Sequence, residues 1–162
     1  MSHEPASNTI YPKVSNPYYI VAPPYIRTSA GVRVLHLLCH ALNKKGELAY
    51  VLLYPALPWR GNQIGADLLT PVLTQEIAKS HFERGLAPIM VYPETIAGNP
   101  FNSPNVVRYV LNFPGLLGGD TIYAPDELCF SYGKVLASHT RNPDNILFLP
   151  TIDTRIFYPA PE

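Results

Sequence analysis

Residues 18–55 read YYIVAPPYIRTSAGVRVLHLLCHALNKKGELAYVLLYP. The stretch opens on an apolar run, 18–22, that stops at Pro23 and Pro24, and it closes on a second run, 48–54, that stops at Pro55. Proline cannot donate to a sheet ladder and forces its predecessor into an extended conformation, so each run reads as a strand with a punctuated end. Between them, residues 30–44 carry Val34, Leu35, Leu38, Cys39 and Leu42 at helical spacing. Ser29 stands at the N-cap position, Lys44 and Lys45 fall in the last turn, and Gly46 follows as a stop. Residues 50–54, YVLLY, are apolar at successive positions instead of alternating, the pattern of a strand covered on both faces. One strand, one helix and one buried strand make a βαβ unit and predict a parallel sheet.

The same punctuation recurs outward. Proline accounts for 18 of 162 residues, about 11% and roughly twice ordinary usage. Apolar runs at 89–92, 121–124 and 146–149 stop at Pro93, Pro125 and Pro150, which predicts three further strands. A second helix is expected to begin at Thr70 with Pro71 at its first position and to end at Gly85, with Leu69, Leu73 and Ile77 as its buried stripe. A third repeats the device: Ser103 caps, Pro104 opens, Val106, Val107, Val110 and Leu111 follow, and Phe113-Pro114-Gly115 ends it. Residues 126–137 read as a strand, a short helix, or both. The expected fold is α/β: a Rossmann-like, doubly wound, mainly parallel sheet flanked by helices over residues 18–150. Residues 1–17, with three prolines and no periodicity, read as an N-terminal arm, and 151–162 as the start of a linker.

Composition removes several functions. Twelve Lys plus Arg balance twelve Asp plus Glu, and no basic run occurs, so the chain lacks the electrostatic footprint of a nucleic-acid binder. Hydrophobic residues at 47% are too many for a disordered proline-rich linker. No apolar run approaches the 18 or so residues of a membrane span, and the N-terminus has no signal-peptide pattern, so a cytoplasmic location is expected. Cys39 and Cys129 lie in apolar stretches and read as buried, reduced thiols. His36 and His40 are four apart on one helix face but lack the glutamate of HExxH and a clear third ligand, so no metal is expected.

In open α/β sheets ligands bind outside the carboxyl ends of the strands, where strand order reverses. Here that rim is formed by residues 23–31, 55–70 and 93–103. The first loop leads into a helix N-terminus that favours an anion, with Arg27, Ser29 and Gly31 as phosphate contacts or, alternatively, as plain cap and turn residues. A lone Gly31 is not a GxGxxG fingerprint, no Walker A sequence occurs, and no cofactor is implied. The second loop carries Trp59 and Arg60, types that cover a sugar or base by stacking and hydrogen bonding, or that simply cover a sheet edge. In the third, Glu94 follows the strand as a general base, a hydroxyl ligand or a solvated turn residue, and Gly98 and Asn99 would let a ligand approach the backbone.

The order of these features resembles the first domain of GT-B glycosyltransferases. The 18–55 stretch is similar to that family's opening strand, small-residue loop, long helix and second strand. The passage LFLPTIDTRIFYP near the end resembles its exit from the first domain, with Thr151 where a glycine is usual. The segment from Glu94 through Gly98-Asn99-Pro100 to Val106-Val107-Arg108-Tyr109 resembles bacterial polysaccharide and rhamnosyltransferase-like members. The resemblance implies the acceptor-side half of a transferase, acting on a nucleotide-sugar donor and a saccharide acceptor. It also implies a cytoplasmic enzyme, peripheral at the inner face of the membrane, whose second domain holds most donor contacts. By the same resemblance this half alone is inactive, Glu94 is the acceptor-positioning group and Gly31 a donor-diphosphate contact. The other readings the residues leave open are a stand-alone Rossmann-like or flavodoxin-like binding module and, third, a non-enzymatic interaction domain.

Overall fold

The computed structural model describes residues 15–55 and 64–152; the N-terminal arm up to residue 14, Trp59, Arg60 and most of the expected linker lie outside them. Strand β1 (Tyr18–Ala22) leads through helix α1 (Ala30–Lys44) to β2 (Ala49–Leu53), as the opening stretch predicts. The chain continues through helix α2 (Gln75–Glu83), strands β3 (Ile89–Pro93), β4 (Asn105–Val110) and β5 (Leu128–Ser131), and a one-turn helix α3 (Lys134–Ala137).

The five strands form one all-parallel sheet in the order β2-β1-β3-β4-β5, so strand order reverses between β1 and β3. Short pairings lengthen it at both edges. Val51 bridges Val72 beside β2, and Ser131 bridges Ile146 beside β5. With the residues around Val72 counted as a strand, the chain follows the 3-2-1-4-5-6 order of dinucleotide-binding sheets.

The two faces are covered differently. Val34, Leu35, Leu38 and Cys39 of α1 pack on Ile20, Ala22, Ala49, Val51 and Val91. Tyr19, Val21, Met90 and Tyr92 point to the opposite face, which α2 covers in part through His81. Helices on both faces make the sheet doubly wound. Helix α1 leaves an apolar hollow of about 320 Å³ over Val91, Val107 and Phe130. Both cysteines are buried and free.

Four expectations are corrected, the first being the strand at 146–149, where only Ile146 pairs, in a single bridge to Ser131. Residues 105–110 form β4, not a helix: Val106, Val107, Tyr109 and Val110 are β-branched or aromatic, and pairing with β3 outweighs the Ser-Pro start signal. No strand forms at 121–124; the fifth strand lies later, at Leu128–Ser131, and α3 follows, so residues 126–137 hold both a strand and a helix. Helix α2 starts at Gln75 with Thr74 as its cap, because the residues around Pro71 are drawn into the edge pairing with Val51. Leu69 is consequently 56% exposed and forms no stripe with Leu73 and Ile77.

No helix spans the β3–β4 or β4–β5 connection, and loops cover that part of the sheet instead. Arg108, fully buried on β4, organises them. Its Nε and Nη2 donate to both carboxylate oxygens of Glu127 at 2.9 and 3.0 Å. Its remaining N–H groups donate to the carbonyls of Pro93, Ile96 and Gly98. All five N–H groups of the guanidinium thus meet an oxygen. The rings of Tyr92 and Tyr123 lie 5.2 and 5.1 Å from its centre. Replacing Arg108 with Met leaves a buried carboxylate and three carbonyls without donors. The expected loss is about 3–5 kcal/mol, read from urea denaturation, with Lys failing to rescue because a single ammonium cannot reach the same set of acceptors.

Candidate functional site

The carboxyl ends of β1, β3 and β4 meet the N-terminus of α1 at the reversal of strand order. Ser29 caps the helix: its Oγ accepts from Val32 N at 3.4 Å. The N–H groups of Ala30 and Gly31 have no acceptor within the helix and carry the positive end of its dipole. Arg27, exposed in the preceding turn, makes no ion pair among the described residues. A Cβ added to Gly31 would stand 3.9 Å from Leu111 Cδ1, ordinary contact, and the fold therefore has no steric need of glycine there.

Leu111 links that helix end to the third loop. Its N–H donates to Glu94 Oε2 at 2.9 Å, so Gly31, Leu111 and Glu94 form a continuous line across the ends of β1, β3 and β4. Glu94 is 3% exposed, not a solvated turn residue. Burial raises its carboxyl above the usual range, while the Leu111 N–H and the Arg108 charge act in the opposite direction. Behind it, a Cβ on Gly119 would stand 2.0 Å from the Glu94 carbonyl oxygen; only glycine, at φ +75°, lets the two backbones touch. Tyr123 is buried beside Arg108 and its hydroxyl has no hydrogen-bond partner among the described residues. Burial pushes that hydroxyl up to about 12, which keeps it protonated.

Gly98 and Asn99 serve the fold of their loop. Gly98, at φ +58°, donates its N–H to Asp120 Oδ2 at 2.6 Å and its carbonyl accepts from Arg108. Asn99 Oδ1 accepts from Tyr92 Oη at 2.8 Å and from Ser103 N, while its Nδ2 donates to the Ser103 carbonyl. The histidines of α1 are each partnered through one nitrogen: His36 Nε2 donates to the Pro23 carbonyl while its buried Nδ1 has no hydrogen-bond partner among the described residues, and His40 Nδ1 accepts from Leu69 N. No group of metal-ligating side chains occurs among the described residues, and none of their helices is long and apolar enough to cross a membrane.

Arg108, Glu127 and Tyr123 escape sequence reasoning. The available signal was a charge inside the run NVVRYV, which in a buried strand demands a partner. No family model matches the chain, and no curated protein or solved structure matches it.

Glu94 also sets a pH expectation. A carboxyl whose folded pKa is raised contributes stability that is complete below the unfolded value of about 4.3 and is lost as pH rises through the folded value. Glu94→Gln keeps an acceptor for Leu111 N and cannot ionise. Urea midpoints between pH 4 and 7 should fall less with rising pH in the variant than in the parent chain.

Proposed function

We propose that the chain is the acceptor-side domain of a GT-B glycosyltransferase of bacterial surface polysaccharide synthesis. The enzyme would transfer a sugar from a nucleotide-sugar donor to a saccharide acceptor. The observation that carries this reading is the line from Gly31 through Leu111 to Glu94, at the point where a Rossmann-like sheet binds ligands. It sets anion-seeking N–H groups and a buried carboxylate on the same rim of the sheet, with Leu111 between them.

In this reading Glu94 positions the acceptor hydroxyl and takes its proton as the oxygen attacks the anomeric carbon. The bond from that carbon to the diphosphate breaks with the electrons leaving on the nucleotide. The Ala30 and Gly31 N–H groups, with Arg27 beside them, meet part of the charge that develops on the departing diphosphate. A second α/β domain completes the cleft and supplies most donor contacts. Trp59 and Arg60, which follow β2 in the sequence and lie outside the described residues, are assigned in this reading to the acceptor sugar.

The test uses the full-length protein with a panel of sugar nucleotides. Gly31→Ala leaves thermal stability unchanged, because a methyl group fits, yet lowers transfer by about tenfold, equivalent to about 1.4 kcal/mol of barrier. Glu94→Gln lowers it further although the variant is at least as stable as the parent at neutral pH. Full activity in both variants, or turnover by the 162-residue chain alone, overturns the assignment. A second reading, a stand-alone ligand-binding module, draws support from the β2-β1-β3-β4-β5 order, which flavodoxin-like binding proteins share. It requires tight ligand binding by this chain without a second domain.

A further inference from the structure

Helix α2 is tied to β2 just before its cap, where Leu73 N donates to the Val51 carbonyl, and along its own length it is held by a single buried side chain. Its inner positions are Ile77, Ala78 and His81, and of these only His81 is buried, at 4% exposure; the next residue, Phe82, is 83% exposed. Toward its first turn the helix stands off from β2. A hollow of about 470 Å³ opens there between Thr74 and Ala78 of the helix side and Leu52, Leu53 and Phe101 below. The grip is therefore a histidine where a packed helix would ordinarily place an aliphatic side chain.

His81 Nδ1 lies 2.7 Å from Tyr19 Oη. Its ring stacks on Tyr19 with centroids 5.9 Å apart and tilts against Tyr50 at 5.4 Å. With the hydroxyl donating, the imidazole is neutral and carries its proton on Nε2. We propose that α2 is an acid-released cover of the sheet, latched to β1 and β2 by neutral His81. A proton on Nδ1 would face the hydroxyl hydrogen of Tyr19, force that hydroxyl to turn from its acceptor, and bury a charge between two rings.

The groups facing the imidazole set the sign. Tyr19 on β1 and Tyr50 on β2 are neutral phenols, and the charge acting on it is the guanidinium of Arg84 at the end of the helix, which opposes protonation. Glu83 is exposed and pairs with Lys79 at 3.7 Å on the outer surface. Burial, then Arg84, hold His81 below the ordinary imidazole value. The latch is accordingly complete above the unfolded value of about 6.5 and is lost as pH falls through the folded one. Opening uncovers Tyr19, Tyr50 and the hollow beside Phe101.

Amide hydrogen exchange of the whole chain by mass spectrometry, corrected for intrinsic rates between pH 7.5 and 5, tests this. Protection of the α2 amides should fall by up to about tenfold per pH unit inside the window while β1, β3 and β4 stay protected. Tyr19→Phe, which removes the donor to the neutral ring, should move opening to higher pH. His81→Gln should remove the pH dependence of α2 exchange whatever its absolute level. Protection of α2 that persists to pH 5 overturns the proposal. So does its loss in step with the strands, or an unchanged pH dependence in His81→Gln.

Discussion

A guanidinium in the interior of β4 is the constraint on which half of this molecule depends. A parallel sheet ordinarily hides each face beneath crossover helices, because only a helix satisfies its own backbone while presenting an apolar stripe. Between β3 and β5 there are no such helices, and two irregular connections lie on the sheet in their place. Irregular backbone leaves carbonyls without partners, which is costly when buried. Arg108 removes that cost by gathering three of them, from Pro93, Ile96 and Gly98, around one side chain. Glu127 balances the charge and joins the second connection to the first. Remote in appearance, the clamp also bears on the site: the loop it holds begins with Glu94, and the connection it anchors through Glu127 brings Gly119 against the Glu94 backbone.

Much of the architecture was legible where apolar runs met proline. β1, β2, β3 and α1 follow from such punctuation with boundaries close to those observed, because strand ends and caps are local events. NVVRYV was misread for an identifiable reason. Ser103 and Pro104 supply a helix start, and the decisive fact, a free edge of β3 in matching register, lies outside the segment. Edge pairing misled the start of α2 in the same way, since Val72 answers to Val51 and not to its own neighbours. Helix signals are read within one turn, whereas strands are decided by partners distant in sequence.

The candidate site shows a similar division. Ser29 and Gly31 could be placed from sequence because a helix N-terminus is defined by the chain itself. That Glu94 is buried could not be anticipated: it depends on Leu111 and Gly119 returning over the top of the sheet. Gly98 and Asn99 have the residue types of a ligand loop, yet every polar group named for them above is spent on shaping that loop. Glu94 and the end of α1 are thus the parts of the rim on which the proposed chemistry rests, whereas Gly98 and Asn99 shape their loop.

The two short edge pairings have a consequence for how this sheet can associate. An exposed parallel edge is a template for any extended segment, and proteins that leave one bare risk joining edge to edge. Here one border is interrupted by the segment that contains Pro71 and Val72, and the other by the segment that runs from Ile146 to Pro150. Each of these border pairings is a single bridge, and an edge that short offers little ladder for another strand to extend. Growth of the sheet by strand addition is thereby discouraged on both sides, and the approaches left to another folded body are the broad faces and the rim above the strand ends.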